Sequence, residues 1–441
     1  MNKQAWIEYA LQQGMESLEI YQAQTSQRSV TWFDHKVDAF TTSSTIGTSI
    51  RGVYQKKMAN MAFEEIHDDM MEDVIFQLIE QAQTLSTKEE DTIVTPKSFT
   101  SVTKEVHWVS ADMTLIKETL STLEKRLLEF DPRIIQVNEL DYQEASGTRM
   151  ITNSLGLDVR DEDHMQAISA YVVAKEGNDV QVNYEVEVVE DLSQLDLDAF
   201  VKKVCTPVLK KLNAKSIPSQ TMPVIFDTEA MTSLFSAFTG LFNGELIYKG
   251  ISCLKDKLNE KVFSEKITIV DDPRNTDCLS IANFDDEGYP TRRKVLIENG
   301  IFKTALHSVK SAARMNTEST GNGFKPGYLG TISVSPMNCC IMPQTKSLEE
   351  LCEDMKDGLV ITDLQGLHAG IDFVTTDFSL QASGYLVKNG KRDQSVTLIT
   401  VAGNFMALMN DVVEVGGDLD WTYHQVISPS IYFKNCAISG E

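Results

Sequence analysis

Two Asn-Gly dipeptides in the second half of the chain do most to restrict its fold. Asn299-Gly300 separates strand-like runs at 295–298 and 301–306, and Asn389-Gly390 separates runs at 385–388 and 396–401. Both residues of such a pair accept positive φ, which the tightest hairpin turn requires, so each dipeptide predicts two antiparallel strands. Short strands and glycine-rich loops are expected throughout 222–441. Ser347 with Glu350 forms a capping box and predicts a helix to about Asp357.

The first half reads differently. Trp6, Ile7, Ala10 and Leu11 form one helical stripe, and Glu8 interrupts what would be the apolar core of a signal peptide, so a docked helix is expected there. Strands follow at 17–25, 29–40 and 45–54. A second stripe, Met70, Met71, Val74, Ile75, Leu78, Ile79 and Ala82, predicts a core-facing helix ending near Leu85. Residues 86–102, polar and carrying Pro96, read as a linker. Beyond them the pattern predicts a helix at 115–130, strands at 134–144, 148–153, 167–174 and 180–189, a helix at 197–212 and a second linker at 213–220. The expectation is an α+β protein of three domains. An N-terminal α/β region spans 1–95, a central α+β domain 103–215, and a larger C-terminal β-rich mixed domain with antiparallel sheets and hairpins 222–441.

Composition excludes several functions. No apolar run approaches the roughly 18 residues needed to cross a bilayer. Forty basic against sixty-four acidic side chains give a formal charge of -24, which repels phosphate backbones and removes the counterion-release term behind nucleic-acid affinity. Seven scattered cysteines without a C-x-x-C suggest neither a disulfide framework nor a zinc ribbon, and a reducing cytoplasm is the expected location. Cys339 and Cys340 lie in an apolar stretch and read as packing residues.

The usual catalytic signatures are missing. The seven histidines, His35, His67, His107, His164, His307, His368 and His424, include no pair one helical turn apart, and there is neither a G-x-S-x-G elbow nor a G-x4-G-K-[ST] loop. Gly321-Asn322-Gly323 offers backbone N–H groups to a carboxylate or phosphate, but its setting in 319–330 reads as a plain surface loop. Asp271-Asp272 and Asp285-Asp286-Glu287 have the oxygens a hard cation takes; Pro273 and Gly288 follow them, and that turn grammar predicts solvated turns instead.

Several ordered segments carry a resemblance. FDDEGYPTRRKVLIENG (284–300), ITIVDDP (267–273), STGNG (319–323), DFSLQASGYLVKNG (377–390), VAGN (401–404), GGDL (416–419) and SPS (428–430) together resemble the C-terminal domain of the TldD/PmbA family. The resemblance implies TldD–TldE heterodimers in which peptides enter an internal cleft and are cut by zinc held on the TldD-type chain. Family substrates include peptide precursors of antibiotics and unfolded small proteins, and an older family name is modulator of DNA gyrase.

In TldD-like chains one helix carries H-E-x-x-x-H. Anchoring this sequence at Lys249-Gly250 puts Phe235, Ser236 and Gly240 at the first histidine, the glutamate and the second histidine. The local pattern agrees, because Ala230, Met231, Leu234, Phe235, Phe238, Leu241 and Phe242 form an apolar stripe after an Asp227 cap. A cysteine-bearing stretch also lacks a counterpart, since residues 420–424 run almost directly into Ser428-Pro429-Ser430. The resemblance thus implies the PmbA/TldE-type branch, with no catalytic residue and no cofactor on this chain. Zinc is expected on a TldD-type partner. Implied partners are that subunit or a second copy, and a peptide substrate. Thr376, Asp377, Phe378 and Ser379 are candidates for a cleft wall to which an extended peptide adds as a strand. Two alternatives stand beside this reading. One is a self-sufficient homodimeric metallopeptidase with a metal held by His307, His368 and the acidic clusters; the other is a non-enzymatic regulator that binds a protein such as DNA gyrase.

Overall fold

The structure, a computed structural model, describes residues 1–441 except Lys88, Asp420 and Thr422. The expected 420–424 connection therefore falls partly outside the described residues. The described residues build three sheets of three strands or more, and the chain is α+β with a strand-rich C-terminal part, as expected.

Six antiparallel strands form the first sheet: β1 (Ser17–Phe33), β2 (Lys36–Tyr54), β3 (Lys57–Phe63), β4 (Ile134–Asn153), β5 (Asp158–Glu176) and β6 (Asp179–Val188). Their order is β3-β2-β1-β4-β5-β6, so segments 1–95 and 103–215 share one continuous sheet through the β1–β4 pairing. The strands are longer than the sequence pattern predicts. The turn between the first two falls at Asp34-His35 (φ 50° and 64°), where the pattern placed a break near 26–28. The predicted strands at 134–144 and 148–153 are one, because Gly147 stays in register opposite Asp163.

All four helices of this half lie on one face. Leu18 and Ile20 of β1 pack with Ile50 under α1 (Lys3–Gln12) and α2 (Met71–Thr84). Val30 and Trp32, on the same side by strand alternation, pack with Leu140, Tyr142 and Ile168 under α3 (Met113–Glu129) and α4 (Leu197–Lys211). Each such buried aliphatic side chain contributes about 1.5–3 kcal/mol, which holds helices of modest intrinsic propensity in place. Caps fix where the helices begin: Asn2, Asp112 and Asp196 accept hydrogen bonds from first-turn N–H groups. Leu11, expected in the first stripe, is exposed; Trp6, Ile7 and Ala10 are buried, with Tyr9 packed beside them.

The C-terminal half has two main sheets. The larger contains β7 (Gln220–Phe226), β14 (Gly358–Gln365), β15 (Ile371–Asp372), β16 (Asp377–Lys388), β17 (Lys391–Asn404), β18 (Val412–Val415) and β20 (Ile431–Ser439). Its order, β14-β7-β20-β17-β16-β15, returns on itself through β14–β16, and β18 adds to β20. The smaller runs β10-β9-β8-β13-β19, with β8 (Ile269–Asp271), β9 (Lys294–Glu298), β10 (Ile301–Phe302), β13 (Cys339–Ile341) and β19 (Val426–Ile427). A two-stranded ribbon joins β11 (Gly323–Phe324) to β12 (Ser333–Val334). Helix α5 (Thr228–Phe238) packs against β14 and β19, and one apolar cluster spans both main sheets. Four short helices complete this half: α6 (Gly244–Tyr248), α7 (Val309–Arg314), α8 (Leu348–Met355) and α9 (Phe405–Leu408). Both Asn-Gly turns form as predicted, with φ 48° and 79° at Asn299-Gly300 and 50° and 75° at Asn389-Gly390. The Ser347–Glu350 capping box opens α8. Among the described residues no helix is long and apolar enough to cross a membrane.

Candidate functional site

Strand alternation decides what reaches the interface between the halves. Leu18 and Ile20 point to the helices, so Glu19 and Tyr21 point away from them, as do Ser49 and Arg51 on either side of Ile50. Arg149 of β4 pairs directly with Ala23 and projects from the same face.

Onto this face the C-terminal half lowers the turn 285–288. Asp285 N donates to Tyr289 O at 2.9 Å, and Gly288 closes the turn at φ 77°. A Cβ on Gly288 would lie 2.3 Å from Leu157, so glycine satisfies both the backbone and the close approach. The Asp285 carboxylate accepts from the N–H groups of Glu287 (3.0 Å), Tyr289 (2.9 Å) and Gly323 (2.8 Å). Asp286 pairs with Arg149 at 2.8 Å and accepts from Lys325 N at 2.9 Å. Glu287 accepts from Val309 N at 2.7 Å and lies 3.6 Å from Arg51, which itself grips Glu19 at 2.6 Å and 3.2 Å. Burial, then the Glu287 charge, pushes Asp285 well above the usual carboxylate range. Glu287 is also raised by burial, against the pull of Arg51.

These contacts overturn two sequence expectations. The acidic turn is not solvated: Asp285, Asp286 and Glu287 are 0%, 5% and 4% exposed. Asp271 is likewise fully buried, paired with Lys294 at 2.8 Å and held by Asn322 Nδ2 and Met337 N. The 319–323 loop is not on the surface either, since its Asn322 and Gly323 supply those hydrogen bonds. The physical reason is the same in each case. Each carboxylate finds at least one N–H or cationic partner on a distant segment, Gly323 for Asp285, Arg149 for Asp286, Val309 N for Glu287 and Lys294 for Asp271, so it leaves water with its lone pairs engaged. The signal available in the sequence was Arg51 and Arg149, cations at positions where alternation along β2 and β4 selects the face away from the helices.

Two cavities flank this network. One, of about 760 Å³, lies among Glu19, Arg51, Glu89, Asp91, Glu245 and Arg314; the other, of about 640 Å³, lies among Thr25, Gly147, Asp161, Ser280, Pro326 and Met337. Tyr21, Asp286, Lys325 and Ser333 border both. Segment 89–92, inside the predicted first linker, walls the larger cavity and is tied down by the Arg314–Glu89 and Lys310–Asp91 ion pairs.

The positions aligned with a zinc motif lie elsewhere and diverge. Phe235 is fully buried in the apolar cluster, Ser236 is exposed, and Gly240 packs so closely on Phe373 that a Cβ would sit 3.0 Å from its ring. Benzyl, hydroxymethyl and hydrogen are not a zinc donor set, and the three point in different directions. Among the described residues no three His, Cys, Asp or Glu side chains are grouped to hold a metal. His307 is buried, with Nδ1 3.2 Å from Ser311 Oγ, and burial pulls its imidazolium down to about 4; His368 is exposed. Asp271 and the carboxylates of 285–287 are already held by protein partners.

Thr376, Asp377, Phe378 and Ser379 sit at the start of β16, away from the two cavities. Thr376 has φ 65° and its carbonyl accepts from Phe405 N; Phe378 is buried, and Asp377 accepts from Asn404 Nδ2 at 2.9 Å. β15 pairs with one edge of 377–378 and β17 with the other, and Ser379 N is bonded to Gly370 O. Strand addition has no open edge at these residues.

Known proteins share this architecture. A family model described as the PmbA/TldA metallopeptidase C-terminal domain matches residues 219–440, and one described as the central domain matches 109–212. Metalloprotease PmbA of Escherichia coli O157:H7 is 28% identical over 325 residues, 74% of this chain and 69% of that protein. A metalloprotease PmbA homologue of Buchnera aphidicola is 30% identical over 318 residues, 72% of this chain and 68% of its own. The crystal structure of TldE from Thermococcus kodakarensis superposes with a TM-score of 0.88 at 26% identity, covering 99% of this chain and 100% of that one. A proposed modulator of a DNA gyrase from Thermotoga maritima gives 0.87 at 27% identity, with 99% of both chains covered.

Proposed function

The chain belongs to the PmbA/TldD metallopeptidase family, and from that premise we propose that it is the PmbA/TldE-type subunit of a two-chain peptidase, itself without zinc. Its partner is a TldD-type chain that holds the metal, and the pair processes peptides and unfolded small proteins. The observation that carries this reading is α5. Where the zinc-bearing branch has two imidazoles and a carboxylate, this helix and the 3-10 turn that follows it have a buried phenylalanine, an exposed serine and a glycine against Phe373. A packing helix of this kind gives the subunit a shape-defining role and leaves the chemistry to the partner. The likeness to TldE supports the same branch. The reading also puts the protein in a reducing cytoplasm, where its seven unpaired thiols persist.

The test is reconstitution with the TldD-type chain of the same organism. A stable complex is expected, with chelator-sensitive cleavage of an unfolded peptide that needs both chains. Stoichiometric zinc in this chain alone, with proteolysis lost on chelation, would overturn the reading in favour of the self-sufficient enzyme.

A further inference from the structure

We infer that the Lys325 ammonium, at the junction of the two inter-domain cavities, is a subsite for the carboxylate of a bound peptide. The inference rests on the peptide-handling role proposed above and adds what this chain itself recognises.

The geometry begins with the backbone. Lys325 leaves the β11–β12 ribbon, and its N–H is fixed to Asp286 Oδ2 at 2.9 Å, so the side chain starts from an anchored point. Its Nζ stands 3.5 Å from the centroid of the Tyr21 ring. Tyr21 and Lys325 both border the 760 Å³ and the 640 Å³ cavities, and each volume is of the size that takes a small ligand or a few residues of peptide.

The charges around it are already committed. Glu19 is held by Arg51 at 2.6 Å, Asp286 by Arg149 at 2.8 Å, and Glu287 by Val309 N at 2.7 Å with Arg51 nearby. Among the described residues no carboxylate lies within 4 Å of Lys325 Nζ, whose close contact is the Tyr21 ring. A half-buried ammonium that faces two cavities, with the Tyr21 ring against it and Asp286 and Glu19 acting on it only from beyond ion-pair distance, lacks a direct anionic partner. Burial, then repulsion from Arg51, lowers it to about 8 against the attraction of Asp286 and Glu19, so it is charged at pH 7 and gains from a carboxylate brought into direct contact. The ring of Tyr21 covers one side of the ammonium, and the anion would take an N–H on the side facing the cavities.

Two sources supply this chemistry, a peptide C-terminus and an Asp or Glu side chain. The probe is a Gly/Ser hexapeptide in four forms, with a free or amidated C-terminus and with Glu or Gln at the centre. Binding to the full chain, without any partner, is measured by calorimetry at pH 7. A charged hydrogen bond is worth about 1.5–3 kcal/mol, so forms with a carboxylate should bind about tenfold tighter or more than the amidated Gln form. Whichever single carboxylate gives the gain identifies the source. Lys325→Met should erase the preference, and Lys325→Arg, which keeps the charge, should retain it. Equal affinity of all four peptides for the native chain overturns the inference even if the variants do not fold, and so does a preference that survives Lys325→Met. Complex formation with a TldD-type chain is read separately. Its loss would remove the subunit role and leave the carboxylate result standing.

Discussion

Helix α5 hides Leu234, Phe235 and Phe238 among other apolar side chains, whereas the turn at 285–287 hides three carboxylates among arginines and backbone N–H groups. Water is excluded equally from both. The difference lies in how each tolerates change. Apolar packing is non-directional and spreads over many weak contacts, so the cost of a substitution follows the volume lost. A buried carboxylate instead answers particular donors, and each donor it abandons costs the desolvation of a whole polar group.

The largest effect should follow from the charged side. Asp285→Ala strands the N–H groups of Glu287, Tyr289 and Gly323, and at about 1–3 kcal/mol each the loss is about 3–9 kcal/mol. Urea unfolding checks it; a loss below about 1.5 kcal/mol would mean water reaches the turn and the comparison fails. Next comes the apolar side, where Phe235→Ala should cost about 3–5 kcal/mol and Phe235→Leu much less. Asp285 should have no comparably mild replacement. Even asparagine keeps only one acceptor oxygen where two are in use.

This contrast also explains what was legible in the sequence. Periodicity reports apolar burial directly, so the α2 and α5 stripes were readable from the residues alone, and both hairpins were readable from the positive φ that Asn-Gly accepts. Buried charge has no period. Asp285-Asp286-Glu287 followed by glycine has the composition of a solvated turn, and only the fold brings Arg51 and Arg149, more than a hundred residues upstream, to meet it. The strap at 89–92 escaped for the same reason, since its partners Lys310 and Arg314 lie on the other half of the molecule. Strand length was misjudged where apolar alternation fails: residues 22–29 (QAQTSQRS) and 41–45 (TTSST) present no apolar stripe to announce the strand.

His307 extends the comparison to a buried ionisable group without a charged partner. Its folded-state value of about 4 lies below the ordinary 6.5, so the native protein binds fewer protons than the unfolded chain as pH falls. The stability this neutral form contributes is present above pH 6.5 and lost as pH falls through 4, reaching up to about 3 kcal/mol there. Unfolding free energies at pH 7 and pH 4.5 should therefore differ less in His307→Gln than in the native chain. An unchanged difference would show that the imidazole is solvated and that its burial resembles neither region.

The smallest effect is expected at Ser236, and it tests α5 most sharply. This residue is exposed one position along from fully buried Phe235, and consecutive helical residues point about 100° apart. Ser236→Glu places a carboxylate where the zinc-bearing branch has its glutamate, yet it should change stability by less than about 0.5 kcal/mol, as surface substitutions do. Because Phe235 remains turned into the core and Gly240 remains against Phe373, the new carboxylate has no neighbouring imidazole with which to share a metal. Thermal unfolding with and without added zinc should superimpose. A zinc-dependent rise in Tm would mean that α5 can turn its functional positions toward one another, and the distinction between an apolar packing helix and a polar buried site would have to be abandoned at this position.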